Sequence, residues 1–409
     1  MTTPGPAATT GGVTTPAART VARLPPFKLL SSLFFAQATW FLYFQDVLSA
    51  AEAVLLYVVA DLATTVLEVP SGWMSDRLGR RPTLLAAAGT GAAGSLAIVL
   101  ADAFPLFVLG QVLLGASNAL ISGTDSSALY EALATEGREE EVERHELRMW
   151  RAGFTGFALS AVTGGAMALA DGRLPFLAGS LAMLAALIVA FGFHDAPARR
   201  VSEKARLREI GAALRHPVLR WCFALALLMY AFSHVPFVFG QPFVLASLEG
   251  TGWGSEAPLV SGAVITAMML ASVAASWGAQ PLRDRIGLAP ILLLGFGMQV
   301  ALAAAMAGTV GPWAIPLLLL RMVPDAFSRP FLLARIQPLL GPASRATYLS
   351  IQSLAGRVLL AATLLVAAGS TTGAADLPVE DLRAILLAYA ALGAVLWLVL
   401  ALWAARVRP

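Results

Sequence analysis

In Glu68-Val-Pro-Ser-Gly-Trp-Met-Ser-Asp-Arg-Leu-Gly-Arg-Arg-Pro-Thr83 an apolar run ends, one acid and three arginines (Asp76, Arg77, Arg80 and Arg81) follow, and a second apolar run begins. In a soluble domain such a stretch is an ordinary turn between two helices. The composition around it assigns another place: of 409 residues, 58% are hydrophobic and 13% charged, with a mean hydropathy of +0.74. Soluble domains carry about 25% charged residues. The chain therefore reads as a polytopic membrane protein, and the charged stretch as a short loop at a membrane face.

A spanning helix takes about 20 mostly apolar residues. Twelve candidates fit: 27–46, 50–74, 82–101, 105–133, 148–170, 174–193, 217–246, 257–280, 288–308, 312–340, 345–370 and 382–405. The longest polar interruption, 194–216, holds Arg199, Arg200, Lys204, Arg206, Arg208 and Arg215 and divides the twelve into six and six. The expected organisation is a disordered tail at 1–24, a six-helix bundle at 25–193, a basic linker at 194–216 and a second bundle at 217–405. Residues 1–24 contain no apolar core of signal-peptide length.

The chain has 28 basic and 25 acidic residues and a pI near 9.3. This balance does not indicate a nucleic-acid partner, because most basic residues fall in the short segments between apolar runs, as the positive-inside rule requires. With the N-terminus inside, Arg77, Arg80, Arg81, Arg138, Arg144, the linker, Arg283, Arg285, Arg406 and Arg408 are cytoplasmic, leaving little more than Arg173 and Arg383 outside. Both termini are expected in the cytoplasm. The single cysteine, Cys222, rules out an intramolecular disulfide.

The pattern G-x-x-x-D-R-x-G-R-R, here Gly72 to Arg81, resembles the signature loop between helices 2 and 3 of the major facilitator superfamily of transporters. The stretch Arg283-Asp284-Arg285-Ile286-Gly287, between the eighth and ninth candidates, repeats Ser75-Asp76-Arg77-Leu78-Gly79. The resemblance implies an all-α fold of twelve transmembrane helices in two six-helix pseudo-repeats, which rock about a central site. It also implies that the loop acid helps to close the cytoplasmic side against the start of helix 11. That helix opens with Ser344-Arg345-Ala346-Thr347, so Arg345 is the expected partner of Asp76. The glycines Gly72 and Gly79 permit close approach, and Arg80 and Arg81 mark the interface. The competing reading of the loop is a topology signal alone. Glu68, Asp125, Glu131, Arg148 and Arg151 lie near the same ends of helices 2, 4 and 5 and, with Asp284 and Arg285, complete the expected cytoplasmic gate.

Charges inside a span each cost at least ~2.5 kcal/mol at the bilayer centre. Asp61 lies roughly 16 Å into helix 2 at 1.5 Å per residue and is the first candidate for a proton-coupling carboxylate; a buried structural hydrogen bond is the alternative. In helix 10, Arg321, Asp325 and Arg329 recur at i, i+4 and i+8, which fits either a functional set containing a second protonatable acid or a self-neutralising ladder. Arg357, near the middle of helix 11, fits a pair with an intramembrane acid or a contact to an anionic substrate. His234 follows Tyr230 by four residues in helix 7 and is a possible proton carrier or a satisfied interhelical bond. Gln37, Trp40, Gln111, Asn118 and Gln352, with Tyr230, Arg321 and Arg357, are the candidate cavity lining.

The departures from the family patterns are specific. Proton-coupled members often carry arginine four residues before a glycine in helix 4, whereas here Gln111 precedes Gly115. The antiporter pattern of helix 5 contains Gly-Pro, replaced here by Ser160-Ala161 ahead of Gly164-Gly165. In contrast, Ser122–Glu131 resembles a helix-4 ending of bacterial exporters. Gly89–Gly94 matches a dinucleotide fingerprint but has no strand before it, and no phosphate loop, zinc motif or catalytic set is present, so the chain is not expected to be an enzyme. The expected function is proton-coupled export of a small amphipathic or drug-like molecule by a monomer in the cytoplasmic (inner) membrane, with the proton-motive force in place of any cofactor. The alternative is uptake of a sugar, organic acid or peptide by symport.

Overall fold

The computed structural model describes residues 15–195, 203–239, 257–341, 344–369 and 379–408, apart from positions 39, 46, 49 and 310, together with Phe243 and Ser247. The first bundle comprises α1 (Pro16–Ser31), a 3-10 turn (Phe35–Ala38), α2 (Trp40–Gln45), α3 (Ala50–Leu78), α4 (Arg80–Val99), α5 (Phe104–Ile121), α6 (Thr124–Thr135), α7 (Val142–Ala170) and α8 (Leu174–Phe191). Then come α9 (Glu203–Arg215) and α10 (Pro217–Val238), followed by α11 (Ala257–Ile286), α12 (Leu288–Gly308), a 3-10 segment (Pro312–Leu320), α13 (Val323–Ala326), α14 (Arg329–Ile336), α15 (Arg345–Gly369) and α16 (Val379–Val407).

Among the described residues, seven stretches are long and apolar enough to cross a membrane: Arg80–Val99, Phe104–Thr135, Glu139–Ala170, Leu174–Phe191, Pro217–Pro236, Leu288–Gly308 and Val379–Val407. The remaining candidates differ from the expected uniform spans in identifiable ways. α3, α11 and α15 have 29, 30 and 25 residues, long enough to cross, but α3 carries Asp61 and Glu68 and α15 carries Arg357 within its length, while α11 ends in Arg283, Asp284 and Arg285. The first candidate begins at Pro16, so residues 16–24, expected as tail, are helical and bury Thr20, Val21 and Leu24. Residues 1–14 and 196–202 lie outside the described part. The fourth candidate breaks at Gly123, whose φ of 71° ends α5 and starts α6.

The tenth candidate is the least regular. Pro312, Pro316, Pro324 and Pro330 each remove a backbone donor, and all but Pro316 stand in the first turn of a new element; the run divides into a 3-10 segment, two short helices and a 3-10 turn at Gln337–Leu339. The expected single helical face through Arg321, Asp325 and Arg329 is therefore interrupted. Arg321 lies in a turn, Asp325 in a four-residue helix and Arg329 at the start of α14, with no continuous helical face to join them.

The sequence echo between the halves extends to the backbone. Gly79 precedes α4 with φ 109° and ψ 163°, and Gly287 precedes α12 with φ 88° and ψ 174°. Residues with a Cβ rarely adopt such angles, so both charged loops turn by the same device. Within the first bundle α3 packs on α5, and α4 on α5 and α8; within the second, α10 packs on α15 and α12 on α16. Between bundles α7 meets α14, and the two largest crossings are α3 with α15 and α7 with α11. If α3 corresponds to α11, as their loops indicate, these are one pairing made twice. A small core of Phe154, Ala158, Met268 and Met269 seals the α7–α11 crossing.

Candidate functional site

Asp76 stands at the loop end of α3 with its side chain fully buried. The first turn of α15 presents backbone N–H groups that have no partner within their own helix. Asp76 takes two of them: Oδ1 accepts from Ala346 N at 3.1 Å, and Oδ2 from Thr347 N at 2.9 Å and Thr347 Oγ1 at 2.5 Å. A carboxylate here also meets the positive end of the helix dipole. Arg345, the expected partner, is not the group Asp76 binds. Its guanidinium lies over the Tyr130 ring at 4.3 Å, 3.5 Å from Glu131 Oε1, and Nε donates to the Gln337 carbonyl.

Arg80 joins these contacts into one chain. It donates to Asp76 Oδ1 at 2.6 Å and Ser75 Oγ at 2.9 Å, and holds Glu131 at 2.7 and 3.3 Å. The sequence Thr347–Asp76–Arg80–Glu131–Arg345 therefore begins and ends on the same helix start, with α3, α4 and α6 between. Gly72 completes the contact: a Cβ there would collide with Ser350 and come within 2.8 Å of the Ala346 carbonyl. Arg81 instead fastens α4 to the end of α8, its N–H on Asp195 at 2.7 Å and its guanidinium on the Phe191 carbonyl at 3.2 Å. Arg77 is exposed and lies 4.9 Å over Trp73.

The second loop closes its crossing differently. Asp284, the counterpart of Asp76, is exposed; among the described residues it caps no helix, accepting from Gln280 of its own helix at 3.4 Å and sitting 3.5 Å from Arg283. Arg283 donates to Glu143 in the first turn of α7 at 2.7 Å. An acid already occupies that helix start, so a second carboxylate would be repelled and the loop's arginine takes its place. Arg285 is exposed, as is Arg148, while Arg151 crosses to α11, donating to Ser276 Oγ at 2.9 Å and its carbonyl at 3.1 Å. Within the first bundle, Lys28 pairs with buried Asp125 at 2.6 Å, and Glu68 accepts from Ser122 Oγ at 2.5 Å. Thr15 donates to Glu136, which, with Arg138, holds that carboxyl below its ordinary range. Arg138, bracketed by Glu141 and Glu136, is held cationic well above its ordinary value.

A second constellation lies deeper. Asp61, roughly 25 Å from the loop end of α3 at 1.5 Å per residue, accepts from Arg357 of α15 at 2.6 Å. The pair joins the two bundles and is not packed away: Asp61 is 58% exposed and Arg357 22%. The Arg357 guanidinium is also 5.9 Å from the Tyr230 ring, which lies against His234 at 4.4 Å. A carbonyl only accepts, so the 2.7 Å contact of His234 Nδ1 with the Tyr230 carbonyl places a proton on Nδ1.

The other candidate cavity residues are scattered. Gln37 is committed to α7, donating to the Phe157 carbonyl at 2.9 Å and Ser160 Oγ at 3.2 Å. The small residues of α7 allow this approach, since a Cβ on Gly156 would stand 2.5 Å from the Leu29 carbonyl. Trp40 packs edge-on to Phe44, Gln111 and Gln352 are buried, and Asn118 is exposed. Asp325 accepts from Gln299 Nε2 at 3.2 Å. Sequence reasoning missed Thr347, Glu143, Ser276 and Lys28. The clearest available signal was the acid run at Glu139–Glu143, whose last member, Glu143, meets Arg283 of the second charged loop.

Solved structures share the fold. FucP, a transporter in the outward conformation, is similar with a TM-score of 0.73 at 12% identity, over 95% of this chain and 99% of that one. The human organic anion transporter MFSD10 (TETRAN) gives 0.71 at 15%, over 95% and 100%. A bacterial homologue of the iron transporter ferroportin, outward-facing, gives 0.70 at 16%, over 96% and 100%. No curated protein matches in sequence. The family model described as Major Facilitator Superfamily matches residues 27–364. With that match over most of its length and the paired charged loops, the chain belongs to the major facilitator superfamily.

Proposed function

We propose that this transporter exports a small amphipathic or drug-like molecule in exchange for protons, as a twelve-span monomer of the cytoplasmic membrane with both termini inside. The observation that carries the proposal is the Asp61–Arg357 bond between α3 and α15. Protonating Asp61 removes one charge of a pair that holds the two bundles together, so proton occupancy changes the relative stability of the two bundle arrangements. The Asp76 contacts close the loop end in the present arrangement. With that end in the cytoplasm, the cavity is sealed from inside, which accords with the outward states named for two of the similar structures.

In the cycle, binding from the cytoplasm requires the Asp76 cap to come off α15. Release to the outside requires it to re-form, and a proton taken up at Asp61 from outside is carried inward as the bundles rock. One proton supplies ~2.3 kcal/mol per 100 mV, enough for roughly a 50-fold gradient. The export direction rests on the Ser122–Glu131 resemblance.

A growth-inhibition screen of expressing cells against toxic compounds identifies the cargo. Everted vesicles with an imposed pH gradient then test the direction: accumulation against outward proton flow supports exchange, and co-movement with protons overturns it in favour of symport.

A further inference from the structure

The linker contains an ordered helix with two dissimilar faces. α9 (Glu203–Arg215) is separated from the spanning helix α10 only by His216, so its C-terminal end is held at the bilayer surface. Its inner face docks on the bundle, where Ala213 is buried and Glu209 receives Ser344 Oγ at 3.4 Å beside Gly341. Its outer face carries Leu207, Arg208, Gly211, Ala212 and Arg215, which line one shallow cleft with His216. These positions recur at i, i+1, i+4, i+5 and i+8, a single helical stripe. Gly211 and Ala212 leave a notch between two exposed arginines. Leu207 and Leu214 flank it, 71% and 40% exposed.

Leucines bare beside arginines on a helix fastened to a membrane span form an interfacial pattern. Guanidinium groups pair with phosphate oxygens in a forked geometry. The outer-face carboxylate that would oppose such a ligand is lacking among the described residues of the stripe, because Glu209 points to Ser344. We propose that the notch between Arg208 and Arg215 binds the phosphodiester headgroup of an anionic phospholipid, with Leu207 at the acyl boundary. Since Ser344 directly precedes α15, this helix touches the segment that Asp76 caps.

The test uses the full chain with Leu214→Cys labelled by a fluorophore; Cys222 is buried and stays unlabelled. The protein is reconstituted in phosphatidylcholine vesicles containing equal fractions of either brominated phosphatidylglycerol or brominated phosphatidylcholine. At ~1 kcal/mol per arginine near an anionic surface, two arginines give up to a roughly 30-fold preference for phosphatidylglycerol. Stronger quenching by phosphatidylglycerol is therefore expected, weakened by high salt. The preference should vanish in Arg208→Ala/Arg215→Ala and persist in Arg208→Lys/Arg215→Lys. Equal quenching by both lipids, no quenching by either, or an unchanged preference in the alanine pair overturns the proposal.

Discussion

Asp76 binds the backbone of Thr347, at 2.9 Å, and not the side chain of Arg345. The cap comes from a helix in the opposite bundle, so separating the bundles at this end strips a helix start of its acceptor. Losing an N-cap costs about 1 kcal/mol and up to about 2. Asp76→Ala is expected to shift the population toward an arrangement open at the loop end. A cysteine at buried Ser350 reports it: thiol labelling of Ser350→Cys should rise several-fold when Asp76→Ala is added, and equal labelling would refute the cap's role.

Arg80 and Arg345 touch the same carboxylate of Glu131 with unequal weight. Arg80 is buried and bonded to two acids at 2.6 and 2.7 Å, whereas Arg345 stands at 3.5 Å. Removing one member of a buried pair costs about 3–5 kcal/mol. Arg80→Ala should therefore lower the thermal unfolding midpoint in detergent much more than Arg345→Ala, which leaves Glu131 still paired. A larger loss in Arg345→Ala would contradict this order.

Gly72 and Gly89 are both helical glycines with opposite surroundings. A methyl group at Gly72 meets Ser350 and the Ala346 carbonyl, while at Gly89 nothing lies within 4 Å. Gly72→Ala should weaken the closed loop end and raise Ser350→Cys labelling. Gly89→Ala should leave it unchanged and, through helix propensity alone, alter stability by no more than about 1 kcal/mol.

Arg283 and Glu143 make the corresponding crossing with a part-exposed salt bridge. Such pairs contribute about 0–1 kcal/mol. Glu143→Arg is expected to destabilise the α7–α11 crossing slightly through repulsion, and the exchange Glu143→Arg/Arg283→Glu to restore it, measured by a double-mutant cycle of thermal midpoints. Additive losses in the double variant would show that the two residues do not act together.

The charged loop was legible in the sequence because its residues are few, polar and repeated, and their surroundings are apolar. Its partner was not. Opposite side-chain charges point from Asp76 to Arg345, whereas the groups actually bound are backbone N–H donors that carry no letter in the sequence. The second loop makes its crossing through Arg283 and not through Asp284, because the helix start it meets already carries Glu143. In the tenth candidate, the charge spacing of Arg321, Asp325 and Arg329 suggested a helix face, and Pro324 and Pro330 broke it. Asp61 and Arg357 were each readable as costly intramembrane charges. Their pairing depends on α3 lying against α15, which no local pattern encodes.

The most direct measurement of proton coupling is the distance between spin labels at Leu78→Cys on α3 and Ile286→Cys on α11, both exposed at the loop end. Pulsed dipolar spectroscopy across a pH series is expected to show two populations whose ratio shifts with pH in the parent protein. In Asp61→Asn, which mimics the protonated acid, the ratio should stay fixed at its low-pH value. An undiminished pH response in Asp61→Asn would contradict proton control of the two arrangements through the Asp61–Arg357 pair.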